Sequence, residues 1–229
     1  MRAQDVMTPH VITVTPDTTV LDAAKLFVEH RISGAPVVDA DGHVVGVLSE
    51  GDLLQRIEIG TDGSRRRSWL DFFTDSNAVS YVKSHALRVA DVMSRDVVSV
   101  DADTSLQDIA RLLESRGIKR VPVLRDYKLA GIVSRANLLQ AIASSGASAT
   151  TPAVSASDRE IREQLMKELE GRPWAFAGRN VVVSDGVVHL WGVFRSMEAV
   201  QAVRVAAERI PGVRGVEDHT EPYPLAPGF

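Results

Sequence analysis

The chain repeats itself, and that duplication limits its possible folds more than any other feature. Gly46-Val47-Leu48-Ser49-Glu50-Gly51-Asp52-Leu53-Leu54 returns 85 positions later as Gly131-Ile132-Val133-Ser134-Arg135-Ala136-Asn137-Leu138-Leu139. Asp5-Val6-Met7-Thr8 returns as Asp91-Val92-Met93-Ser94, a shift of 86. Val11–Val14 matches Val97–Val100, Ile32 matches Ile118, and Ala35-Pro36-Val37 matches Val121-Pro122-Val123. A one-residue shortening, Arg125–Lys128 against Asp39–Gly42, accounts for the change of shift. Self-similarity over this length means two copies of one supersecondary unit.

Each copy parses as β-α-β-β-α. Asp17 and Thr18 are cap candidates for a helix with Val20, Ala23, Ala24, Phe27 and Val28 on its apolar side. In the second copy Thr104 leads into Leu106, Ile109, Ala110, Leu112 and Leu113. The strands that follow are Ala35–Val38 with Val44–Leu48, and Val121–Leu124 with Leu129–Val133; Asp41-Gly42 supplies the first hairpin turn. A unit of about 50 residues leaves one face of its small sheet bare, and a second copy packed on it covers both.

The repeated Gly-φ-φ-Ser-x-x-Asp/Asn-Leu-Leu stretch, with φ apolar, reads as a buried strand, a polar turn and the first turn of a helix. Its hydroxyl and its carboxylate or amide can then point at one spot beside a helix N-terminus, where free N–H groups and a positive dipole end gather. That set suits a sugar diol and a phosphate. The simpler reading is an N-cap, with Ser and Asp or Asn serving only the backbone.

Together, Asp-Val-Met-Thr/Ser, Ala/Val-Pro-Val and the Gly-φ-φ-Ser stretch, repeated in one order across residues 2–142, resemble the CBS-domain pair, or Bateman module. The resemblance implies an α/β (α+β) fold in which the two repeats form a pseudo-twofold disc, often dimeric, with clefts for adenosine-containing ligands. Carried over, Ser49 and Asp52 bind one ribose, and Ser134 and Asn137 the other. Thr13 and Ser99, and the Ala35-Pro36 and Val121-Pro122 steps, complete the nucleotide-binding set. AMP, ADP or ATP is the expected regulatory ligand, and no metal or required cofactor is expected.

The two copies differ chemically. Asp52 can accept from both ribose hydroxyls, whereas Asn137 offers one acceptor and two donors, a weaker diol clamp. Glu50 opposes a phosphate, while Arg135 attracts one, helped by Lys119 or Arg120. The expectation is two unlike sites, the first better for sugar and the second for phosphate.

Boundaries fall at 1–56 for the first repeat, 57–86 for an insert, 87–143 for the second repeat, 144–157 for a linker and 158–223 for a further domain. The insert holds Arg65-Arg66-Arg67 and then Trp69, Phe72, Phe73 and Tyr81, four of the chain's twelve aromatics. It is expected to add a helix or two, with Val79 and Val82 on the second. Ala143–Ser157 carries no charge and is rich in Ser, Ala and Thr, which is linker chemistry.

The last domain opens on Ser157-Asp158-Arg159-Glu160, a capping box, with Ile161, Leu165 and Leu169 on one stripe. Strands at Asn180–Val183 and Val187–Val193, a helix from Met197 to Ile210 and a strand at Val213–Thr220 complete α-β-β-α-β. Val-x-Val-x-Asp-Gly-Val-Val-x-Leu-x-Gly at 181–192 and Pro-Gly-Val-x-x-Val at 211–216 resemble the BON domain. That resemblance implies contact with phospholipid or a partner protein, with Trp174 and Trp191 as surface-contact candidates against an alternative core role.

Composition narrows the function. Residues 1–143 carry 17 Lys+Arg against 19 Asp+Glu and residues 144–229 carry 9 against 11, so neither part has the basic excess of a nucleic-acid binder. The absence of cysteine removes disulfides, thiolate metal sites and Cys nucleophiles. The six histidines never fall at i,i+3 or i,i+4, which excludes helical metal pairs. Gly46 to Gly51 spans one residue too many for a nucleophile elbow, and no phosphate-loop or dinucleotide fingerprint is present. No apolar run approaches a membrane span and the start is unlike a secretory signal. The expectation is a non-catalytic, cytoplasmic ligand sensor acting by population shift, or alternatively a structural, envelope-associated adaptor with vestigial clefts.

Overall fold

The computed structural model describes residues 1–54, 87–145, 156–172, 174–175, 180–194 and 196–222. The insert at 57–86, with its arginines and aromatics, and all of the linker except its ends lie outside the described residues. Contacts divide the chain into two compact units: Val11–Val98 with Asp126–Leu129, and Met1–His10 with Ser99–Arg125 and Ala130–Phe229. The sequence boundaries group residues by repeat, whereas the units exchange the first segment of each repeat. Met1–His10 belongs with the second repeat, and Leu87–Val98 with the first.

In the first repeat's unit, α2 (Val20–His30) packs with β1 (Gly34–Val38), β2 (Val44–Ser49) and α3 (Glu50–Leu54). The helix N-cap is Thr19, one residue beyond the expected Asp17-Thr18, and its hydroxyl accepts from Asp22 N–H at 3.0 Å. Thr18 is diverted into a turn, accepting from Thr15 N–H. β1 and β2 pair antiparallel, joined through Asp41-Gly42 as expected, with Gly42 at φ 86°. The short α4 (Val89–Val92) closes the core, where Val89, Val92 and Met93 join Val14, Val20, Ala23, Phe27, Ala35, Val37 and Leu48.

The second repeat is built alike. α1 (Ala3–Val6), β3 (Val100–Asp101), α5 (Leu106–Ser115), β4 (Arg120–Arg125), β5 (Lys128–Ser134) and α6 (Arg135–Ala143) follow in chain order, and the sheet runs β3-β4-β5. Ser105 is the N-cap of α5, again one residue past the expected Thr104, which accepts from Asp101 N–H. The shortened hairpin turns on Asp126 and Tyr127, both at positive φ.

The exchanged segments explain the Asp-Val-Met motif. Thr8 bridges Ile132, and a Cβ on Gly131 would lie 2.6 Å from Met7 Sδ and 3.0 Å from Thr8 O. In the other unit Ser94 bridges Val47, and a Cβ on Gly46 would lie 2.6 Å from Met93 Sδ. Each glycine is there because a methionine crosses its strand at van der Waals contact.

The last domain has the expected order: α7 (Ala156–Leu169), β6 (Asn180–Ser184), β7 (Val187–Phe194), α8 (Met197–Glu208) and β8 (Gly215–Pro222). β7 is central, antiparallel to β6 and parallel to β8. Ile161, Leu165 and Leu169 form the buried stripe and pack with Val181, Val183, Val188, Leu190 and Val203. α7 begins at Ala156, so Ser157 lies inside it instead of capping it. The buried Asp158 carboxylate accepts from Gly186 N–H at 2.7 Å, tying helix to hairpin.

Candidate nucleotide site

The two repeated turns position their polar side chains in the same way, each inside its own unit. Ser49 ends β2, and its N–H and hydroxyl both donate to Asp52 Oδ2, at 3.0 and 2.7 Å. Asp52 is buried. Ser134 ends β5, and its N–H and hydroxyl donate to Asn137 Oδ1 at 2.8 and 2.7 Å. With Asn137 N–H donating back to Ser134, this is a capping box. The N-cap reading is therefore satisfied at Ser134.

Asn137 has a further task. Its Nδ2 donates to Val6 O at 3.2 Å and to Thr8 Oγ1 at 3.4 Å, so the buried amide holds the exchanged N-terminal segment against α6. A carboxylate could not donate to Val6 O, so the amide is matched to this contact.

The two copies carry different charges at their helix starts. Arg135 N–H donates to Lys119 O at 3.1 Å, which brings the exposed Lys119 and Arg135 to the start of α6, with Arg120, next to Lys119, opening β4. The equivalent bond in the first repeat joins Glu50 to Ser33, leaving an exposed carboxylate where the second copy has a guanidinium. Ala35 and Val121 are fully buried, backbone included, so neither presents an accessible atom to a ligand. Pro36 O already accepts from Val14 N–H. Thr13 is half-buried and Ser99 exposed.

Residues 3–59 and 89–144 match the CBS domain model, and residues 157–221 match the BON domain model. An uncharacterized protein of Methanocaldococcus jannaschii is 33% identical over 154 residues, covering 62% of this chain and 91% of its own length. The chain belongs to the CBS-domain family. It carries a CBS pair followed by a BON domain. The chloroplastic CBS domain-containing protein CBSX1 of Arabidopsis thaliana is 36% identical over 137 residues, 56% of this chain and 57% of CBSX1. The chain thus spans little more than half the length of that relative. A crystal structure of CBSX2 in complex with AMP, 34% identical, superposes with a TM-score of 0.55 and covers 62% of this chain and 96% of its own.

No local pattern shows how the BON domain meets the second repeat. Arg162 is buried, with Nε donating to Val181 O at 3.0 Å and an Nη to Met7 O at 2.7 Å. Burial pushes its pKa down to about 10. Arg159 donates to the buried Asp5 at 2.9 Å, and this pairing raises the Arg159 pKa. Asn180 donates to Gln140, and Trp191 Nε1 donates to Ser144 Oγ at 3.1 Å. Trp191 is thus a contact between domains, neither core nor free surface. Trp174 is 36% exposed beneath Arg172. Arg159 and Arg162 sit at the start of α7, where the sequence reads only as a capping box followed by an apolar stripe.

Proposed function

We propose that the chain is a non-catalytic regulatory protein whose CBS pair binds an adenosine-containing nucleotide of the AMP, ADP or ATP class. The observation that carries this reading is the likeness to the AMP complex of CBSX2 over almost the whole of that chain. Ser49 and Asp52 hold the sugar of the first site. Asn137, engaged on both its oxygen and its nitrogen, makes the second a weaker sugar site. Lys119, Arg120 and Arg135 at the start of the nine-residue α6 favour phosphate there.

The output runs along α6. Its first turn carries Ser134, Arg135 and Asn137, and its far end touches the BON domain through Gln140 and Ser144. Met7 O, one residue from the carbonyl held by Asn137, accepts from Arg162 of the BON domain. A ligand that prefers one arrangement of Asn137 therefore biases the BON contacts, while one with equal affinity for both arrangements signals nothing. The BON domain contacts a partner protein or phospholipid, and the CBS pair supports a homodimer. Among the described residues no helix is long and apolar enough to cross a membrane.

The alternative is an adaptor with vestigial clefts, favoured by the complete engagement of the Asn137 amide. A thermal-shift screen of adenosyl compounds separates the two readings. Ligand at 100 times its dissociation constant adds about 2.7 kcal/mol to stability; no shift with any adenosyl compound supports the adaptor.

A further inference from the structure

We propose that the BON sheet carries a site for a divalent cation of the zinc class, built from His189, Glu217 and His219. The parallel pairing of β7 and β8 sets His189 opposite Glu217 and Trp191 opposite His219. Strand alternation puts all four side chains on one face of the sheet. Three atoms converge there: His189 Nδ1 and His219 Nε2 at 3.2 Å, His189 Nδ1 and Glu217 Oε2 at 3.3 Å, and His219 Nε2 and Glu217 Oε2 at 3.4 Å. Metal–ligand bonds of 2.0–2.1 Å in a tetrahedron give ligand-to-ligand edges of about 3.3 Å. Two imidazoles and one carboxylate form a ligand set suited to zinc, with a fourth position left for water.

Hydrogen bonding alone does not satisfy this triangle. It has three edges, each needing a proton, but an ionised carboxylate brings none and each converging nitrogen brings at most one. At least one edge therefore lacks a hydrogen bond, with lone pair against lone pair or N–H against N–H, whereas a cation on the three lone pairs satisfies all three at once. The two rings lie 11° from parallel with centroids 5.5 Å apart, so their nitrogens face each other. An ion on the His189 lone pair asks His219 and Glu217 to adjust around it. Both can do so, being 32% and 57% exposed in their side chains. Trp191 stacks on His219 at 4.1 Å between centroids and limits the plane in which that ring moves.

A second group, Asp39, Asp41 and His43, could compete for metal. Asp39 Oδ1 already accepts from the N–H groups of Asp41 and His43, which is hairpin-turn chemistry. The test titrates zinc into the full-length protein against a chromophoric chelator, and cobalt(II) by visible absorption, for the parent, His219→Gln, Glu217→Gln and Asp39→Asn. The substituted side chains are exposed or lie in a turn, and circular dichroism confirms that each variant folds. Parent and Asp39→Asn should bind one equivalent, with the intense cobalt spectrum of four-coordination. His219→Gln should lose more than about 100-fold in affinity, since losing even an outer partner of a ligand costs 10–100-fold. Equal binding by parent and His219→Gln, or loss in Asp39→Asn alone, would overturn the site.

Discussion

Asn137→Asp restores to the second repeat the carboxylate present in the first, and the structure says that this change harms the protein. The cap survives, because a carboxylate still accepts from Ser134 N–H and Oγ. What disappears is the donor to Val6 O at 3.2 Å, whereas the Thr8 hydroxyl can turn and donate to the carboxylate. An orphaned buried acceptor costs about 1–3 kcal/mol, and an oxygen with negative charge now faces the carbonyl. A total near 2–3 kcal/mol lowers the Tm by about 5–10 °C in a chain of this size. Melting of parent and variant at pH 7 measures it, with AMP titrated into both. If instead Asn137→Asp melts with the parent and binds AMP more tightly, the amide is a ligand clamp and the anchoring argument fails.

Other perturbations follow from the same contacts. Gly131→Ala drives a methyl group onto Met7 and the Thr8 carbonyl and should cost about 1–3 kcal/mol in denaturant unfolding; Met7→Ala in the same chain should recover part of that cost. Arg162→Met leaves Val181 O and Met7 O without their charged donor, and hydrogen bonds to charged groups are worth about 1.5–3 kcal/mol. Faster proteolysis after the second repeat would report the loosened contact. His189 has a depressed pKa in the folded state, so the unfolded chain takes up its proton first. Its contribution to stability is unchanged above pH ~6.5 and falls as pH drops below that value toward the folded pKa. His189→Gln should flatten this part of the stability–pH curve, as read by urea midpoints at several pH values.

Local pattern explains most of what was legible in the sequence. The 85- and 86-residue offsets, the Asp41-Gly42 turn and the Ile161-Leu165-Leu169 stripe are short-range signals, and the elements they predict are present. The helix caps fell one residue late, at Thr19 and Ser105, because the preceding threonines are taken by turns of their own. Long-range pairing was not legible. Nothing local in Asp5-Val6-Met7-Thr8 says that it packs on Gly131, or that Asn137 is an amide in order to hold Val6. His189 and His219 stand 30 residues apart and meet only through β7–β8 register. A scan for helical spacing passes over them, while alternate positions on two adjacent strands would have been the signal.

The central claim is that Ser49 and Asp52 grip the sugar of an adenosine nucleotide, and calorimetric titration of AMP into the parent and into Asp52→Ala tests it most directly. The account predicts saturable binding by the parent and at least a tenfold loss in Asp52→Ala, about 1.4 kcal/mol, a modest figure for a hydrogen bond to a charged group. Equal affinity in the two proteins, or no heat from either at any AMP concentration, would contradict it.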